Sequence, residues 1–258
     1  GRRDRGVTAS AMTQCAGSVT GSKQYHDRHR RTAITALAMP GGWIGECIGS
    51  VHEWARASGF GYIRLGDELF DFAPPGLRDR TATQTVVATD LARLRAAQAL
   101  AFAPDDFLLP DASYALGREV WVEPHAGKPN NFTARKQVHN AFLMFRRGNT
   151  FLDFYTETAT QMLERNRGPM PPQFIGPKLL TALHNVVGCP VLETAGMLSP
   201  AVIDEIAGEP GAALGLFRRR SPRPLAAANL CSSLYARGEF SEATVRRCIE
   251  RLLARKAL

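Results

Sequence analysis

The feature that most constrains this chain is the alternation of apolar patterns with two different periods, separated by glycine and proline. "ITALAMPGGWIGECIGSVHEWARASG" opens with a short apolar run and turns at Pro40-Gly41-Gly42. It then carries Ile44, Cys47, Ile48, Val51 and Trp54 at helical spacing as far as Gly59. "FGYIRL" follows as a short strand, so this stretch predicts a β–α–β unit. "ATQTVVATDLARLRAAQALAF" predicts a second helix, with Leu91, Leu94 and Leu100 inward and Thr89 or Asp90 as its cap. "YALGREVWVEP" reads as a strand. "NAFLMFRRGNTFLDFYTETATQML" reads as a strand, a turn at Gly148-Asn149 and a long helix from Thr150. "PPQFIGPKLLTALHNVV" is a helix introduced by prolines, "SPAVIDEIAG" a short helical turn, and "SEATVRRCIERLLARKAL" an amphipathic helix capped by Ser241. Helices alternating with short strands predict an α/β domain with a mostly parallel central sheet flanked by helices.

The 258 residues are 45% apolar, enough to bury one core. The pattern assigns that core to residues 33–258. Residues 1–32 are Gly, Ser, Thr, Arg and Gln without apolar periodicity, and read as a flexible basic leader. No apolar run reaches the roughly 18 residues of a membrane span, and the first residues lack the apolar stretch of a secretory signal, so a cytoplasmic location is expected. The five cysteines form no CxxC pair and read as reduced thiols.

Net charge is +8, but it is unevenly placed. Residues 1–31 hold seven Lys/Arg against two Asp/Glu, and residues 217–258 hold ten against three. Of the 32 basic and 24 acidic residues, 15 and 19 are then left for the body at 32–216. An acidic body with basic ends argues against a nucleic-acid-binding core and fits ends that face phosphate or membrane. "RRRSPRP" at 218–224 reads as a solvated basic loop of that kind, consistent with peripheral contact at an inner membrane.

Several phrases resemble the bacterial glycosyltransferases with a DXD-containing sugar-binding region, of the capsular-polysaccharide and mannosyl-transferase type with a GT-A fold. They are "SVHEWARASGFGYIRLGDELFD", "TDLARLRAAQAL" with its [ST]D-x-x-R helix, "NAFLMFRRGNTFLDFY" and "IGPKLLTALHN". The phrases themselves run from Ser50 to Asn185, and the resemblance extends from about residue 38 to about residue 235. The resemblance implies a GT-A-like domain that binds a nucleotide-sugar across the carboxyl ends of its parallel strands. It implies transfer of a hexose from a nucleoside-diphosphate sugar to a saccharide or lipid-linked acceptor. On the same footing it puts Asp90, Arg93, Asn140, Gly176, Pro177 and His184 at the donor, and assigns no catalytic residue.

In such enzymes the DXD strand follows the Asp90 helix and holds Mn²⁺ or Mg²⁺ against the diphosphate. Here "FAPDDFLLPDASYALGREVWV" fits the segment after that strand, keeping the aromatic-x-Pro, the loop and "GREVWV" in step. The alternative sets Asp106 on the second DXD acid and Pro104 on the first, which would put proline inside a central strand. The preferred fit leaves the DXD segment missing between Ala99 and Phe102, with Asp105 and Asp106 as the remaining metal candidates. An Asp-Asp pair after proline also suits a turn or a helix cap. Bland readings stand beside the others: an i,i+3 ion pair for Asp90 and Arg93, a turn residue for Asn140, and a tight helix opening for Gly176-Pro177. Lys178 reads as solvated, His184 with Asn185 as capping carbonyls, Asn229 as a weak match to a C-terminal site position, and Glu119 or Glu123 as salt-bridge partners of Arg118. Two further classes remain open. One is a degenerate transferase that binds without turnover, and the other is a non-enzymatic protein whose basic ends meet anionic partners.

Overall fold

Apolar residues at three- and four-residue spacing need a surface to cover, and in the computed structural model that surface is a parallel sheet. The structure describes residues 8–9, 32–36, 42–57, 59–73, 75–76, 85–100, 112–128, 131–146, 148–171 and 173–254. The β–α–β unit expected at the start is present. Strand β2 (Thr32–Ala36) runs parallel to β3 (Gly61–Leu65) in register from Thr32↔Gly61 to Ala36↔Leu65, joined through helix α1 (Gly42–Ala57). Gly59 ends α1 with φ +75°, a left-handed conformation that glycine adopts freely, while Phe60 N donates to Ala55 O at 2.8 Å. These two strands form a sheet of their own. Leu65 and Leu69 connect it to helix α2 (Thr85–Leu100) through Ala92 and Ala96.

Among the described residues, the main sheet has five strands. They are β1 (Thr8–Ala9), β4 (Tyr114–Pro124), β5 (Phe132–Phe145), β6 (Val191–Met197) and β7 (Ala227–Asn229), in the order β1-β7-β6-β4-β5. Every neighbouring pair is parallel except β4 with β5, which is antiparallel, so the sheet is mostly parallel as the alternation predicted. Thr8–Ala9, from the basic leader, pairs with Ala227–Ala228. Both ladders of β4 slip, against β5 at Leu116/Gly117 and against β6 at Gly117/Arg118, which bends the strand where Asn140 lies on β5.

Two helical clusters pack on this sheet. In one, α1, α5 (Pro200–Ala207), α6 (Ala212–Arg220) and α8 (Glu242–Leu253) meet Val120 and Val122 of β4 and Ala228 of β7 through Trp43, Ile203, Phe217, Val245 and Ile249. In the other, α2, α3 (Thr150–Arg165) and α4 (Leu179–Val187) meet Leu116 and Val138 through Leu91, Leu94, Tyr155, Ala159 and Leu180. Each fully buried leucine of this kind contributes about 1.5–3 kcal/mol relative to leaving it in water. Helix α7 (Ser232–Ala236) follows β7, and Trp43 meets its Tyr235 edge to face at 5.6 Å.

The helix caps follow sequence logic in two places. Asn149 accepts from Leu152 N at 2.9 Å, and Ser241 accepts from Thr244 N at 3.1 Å. A third is long-range: the Glu205 carboxylate accepts from Gly211 N, Ala213 N and Leu214 N at 3.0, 3.0 and 2.7 Å. It satisfies three of the orphan donors at the start of α6 and places a negative charge at that helix's positive end. Helix α6 also corrects the reading of 218–224 as a loop, because Arg218–Arg220 form its last turn. Among the described residues, no helix is long and apolar enough to cross a membrane.

Candidate functional site

Helix α2 starts at Thr85, so Asp90 lies in its second turn and neither it nor Thr89 is the cap. Asp90 instead points inward and is 3% exposed. Arg93, one turn on, brings Nη2 to Asp90 Oδ1 at 2.5 Å, the i,i+3 pairing that helical geometry allows. Asn140 Nδ2 of β5 donates to the same Oδ1 at 2.8 Å, across a separation of 50 residues. Burial raises the Asp90 carboxyl above the usual carboxylate range, and Arg93 and Asn140 oppose that shift without cancelling it.

The third wall comes from the segment before α4. Gln173 adopts φ 62°, ψ 17°, which turns the chain into a wide helical turn over Phe174–Lys178 with Lys178 N bonded to Gln173 O at 3.1 Å. Gly176 sits inside that turn at φ −79°, ψ −110°, followed by Pro177, and both are buried. A Cβ at 176 would stand 2.6 Å from Asp90 Oδ2 and 2.6 Å from Asn140 Nδ2, so only glycine lets this backbone lie against the pair. Tyr155, fully buried on α3, fastens the turn by donating its hydroxyl to Ile175 O at 2.8 Å. Burial first, and then the negative charge of Asp90, push the Tyr155 phenol well above its ordinary range.

His139 precedes Asn140 and is also buried, with Nδ1 accepting from Ala141 N at 2.8 Å. Burial and the nearby Arg93 charge lower it to about 3, so the ring is neutral near pH 7. On the neighbouring helix, Arg95 Nη2 donates to Thr160 Oγ1 at 3.2 Å, tying α2 to α3. The result is a buried polar cluster assembled from α2, β5, α3 and the turn before α4. Arg93, whose side chain is 14% exposed, is the partly exposed partner of the buried Asp90 carboxylate.

Asp90, Arg93, Asn140, Gly176 and Pro177 are thus brought together by the fold. His184 sits on α4 with its backbone carbonyl accepting from Gly188 N at 2.8 Å and its Nδ1 buried without a hydrogen bond. Among the described residues, no hydrogen bond ties it to the Asp90 cluster. Lys178 and Asn185 are exposed. The salt bridges expected for Arg118 go elsewhere: it pairs with Glu193 of β6, while Glu123 pairs with Arg135 at 2.8 Å on the antiparallel neighbour. Glu119 is left buried, and desolvation pushes it up to about 7 against the pull of Arg135. Asn229 closes β7 by accepting from Cys231 N at 2.7 Å and acts as a turn residue.

Asp105 and Asp106 lie outside the described residues. Among those described, no group of three or more His, Cys, Asp or Glu could hold a metal ion. Sequence reading passed over Tyr155 and His139. A tyrosine on an apolar helix stripe carries no sign that its hydroxyl will hold a distant turn. No family model, curated protein or solved structure matches the chain.

Proposed function

We propose that the chain transfers a hexose from a nucleoside-diphosphate sugar to a saccharide or lipid-linked acceptor, and that the Asp90 cluster forms the floor of its donor site. One observation carries this reading. Asp90, Arg93, Asn140 and Gly176, named from a family resemblance and scattered over 87 positions, converge within hydrogen-bond reach. Asp90 and Arg93 meet through helix geometry, and the fold brings Asn140 and Gly176 to them.

The chemistry of the cluster suits a sugar. The guanidinium of Arg93, 14% exposed, is the group that meets the sugar or its phosphate, and the buried Asp90 carboxylate fixes its orientation. Asn140 and Arg93 orient the carboxylate, the Tyr155-fastened turn excludes water from behind it, and the low local dielectric strengthens each bond made to the ligand. In the transfer itself the anomeric C–O bond to phosphate breaks, with its electron pair leaving on the diphosphate. The acceptor oxygen then forms the new glycosidic bond, and its proton passes to the departing phosphate oxygen.

The test is isothermal titration of UDP- and GDP-hexoses into the wild-type chain and Arg93→Lys, with and without Mn²⁺. Lysine keeps the charge and loses the planar fork. Binding to the wild type that weakens at least about tenfold in a folded Arg93→Lys protein is expected, since one charge-assisted hydrogen bond is worth about 1.5–3 kcal/mol. Equal binding by both proteins, or no binding of any nucleotide-sugar in either condition, would refute the reading.

A further inference from the structure

The chain between Glu209 and Glu239 contains five arginines and not one acidic residue. All five are exposed, and four of them, Arg218, Arg219, Arg220 and Arg223, fall within six positions. The first three are the last turn of α6, and Arg223 follows in the Ser-Pro-Arg-Pro segment. Interaction with the helix's negative end favours cations in that last turn and does not reach Arg223 beyond it.

Geometry separates the kinds of anion such a group could meet. Consecutive helical positions are about 100° apart, so Arg218, Arg219 and Arg220 splay around the helix end instead of lining one face. A groove-following contact to a duplex needs cations along a stripe at three- and four-residue spacing. A splayed ring at a helix terminus addresses a flat field of mobile anions. The rest of the protein reinforces the distinction. Residues 32–216 hold 19 acids against 15 bases, so a long polyanion lying along the body would be repelled, whereas a planar surface touching one end would not.

We infer that the C-terminal end of α6 and the segment through Arg223 form a docking surface for an anionic lipid bilayer. The inference does not depend on the donor-site reading, since the arginines play no part in that site. Each arginine within a Debye length of an anionic surface strengthens binding about fivefold, so the four together account for a factor on the order of a hundred or more.

The experiment is sedimentation of the full chain with phosphatidylcholine vesicles, with and without phosphatidylglycerol, at low and physiological salt. It compares the wild type, the quadruple variant Arg218→Gln/Arg219→Gln/Arg220→Gln/Arg223→Gln, and a control, Arg165→Gln/Arg167→Gln, which removes exposed charge elsewhere. Salt-sensitive binding to the anionic vesicles is expected, retained by the control and lost about a hundredfold by the quadruple variant, with unchanged melting of all three proteins. The proposal is overturned if the quadruple variant sediments like the wild type, or if the control loses as much. It is also overturned if inorganic phosphate alone displaces the chain from the vesicles, or if duplex DNA binds the wild type more tightly than the vesicles do.

Discussion

Replacing Gly176 by alanine tests the architecture of the candidate site at its tightest point. The added methyl would stand 2.6 Å from Asn140 Nδ2 and Asp90 Oδ2 and 3.1 Å from Asn140 Cγ, well inside the 3.4 Å at which ordinary contact begins. Neither neighbour can simply swing away. Both are buried and bonded to each other at 2.8 Å, and the turn itself is held by Tyr155. Admitting the methyl therefore means overpacking, at about 1–3 kcal/mol, or surrendering a hydrogen bond to a carboxylate, at about 1.5–3 kcal/mol, or part of each. We expect a loss of about 1–3 kcal/mol, a sizeable part of the roughly 5–15 kcal/mol by which a domain is stable. Urea unfolding would report it as a lower midpoint at constant slope. Gly49→Ala is the matched control, since that helical glycine has nothing within 4 Å of a Cβ, and alanine there should stabilise by about 0.5–1 kcal/mol. Asn140→Ala combined with Gly176→Ala should cost clearly less than the sum of the single changes, because the two residues share one contact. A loss below about 1 kcal/mol, or strict additivity in the double variant, would refute the close approach.

Glu119 predicts a pH effect with a definite sign. Its folded-state value of about 7 lies above the ordinary 4.5, so folding favours its protonated form and stability declines as pH rises between those values, by up to about 3 kcal/mol. Glu119→Gln should remove that decline and leave the variant more stable than the wild type at pH 8; an unchanged profile would show that Glu119 is not the group responsible. His139 works in the opposite sense, lowered from 6.5 to about 3, so its contribution is lost as pH falls through that range and chemical unfolding of His139→Gln should show a shallower acid limb. Glu205→Ala strips three backbone donors of α6 of their partner and should lower stability by about 1–3 kcal/mol, with the loss of helical circular dichroism on heating setting in earlier. Tyr155→Phe leaves Ile175 O buried without its donor, at about 1–3 kcal/mol, and should speed hydrogen exchange in the turn over 174–178; exchange that stays slow would mean the turn holds itself.

Much of the fold was legible because local signals agreed with it. The glycine after α1, the Asn149 and Ser241 caps, and the strand "YALGREVWVEP", which matches β4 residue for residue, all act within a few positions of where they are written. Strand β6, "VLETAGM", was not legible, because its glutamate and glycine break any apolar alternation. It is a strand because β4 and β7 hydrogen-bond it from both sides, and Gly196 lets Arg118 O approach to 2.9 Å of where a Cβ would be. Arg218–Arg220 failed in the same way. Three arginines before Ser-Pro look like a loop until the distant Glu205 caps the helix to which they belong.

The sequence by itself determined the alternation of helices and strands, the mostly parallel pairing that follows from it, and the residue types available for a polar site. Periodicity, caps and turns are properties of neighbours along the chain, and neighbours are what a sequence records. Only the tertiary structure decided that Asp90 is a buried hub and not a helix cap, that Asn140 and Arg93 share one of its oxygens, and that Gly176 must lack a side chain. A buried carboxylate is stable only if donors from elsewhere in the chain reach it. Whether they do depends on how strands slip and how a turn widens, geometry that exists only once the layers have packed.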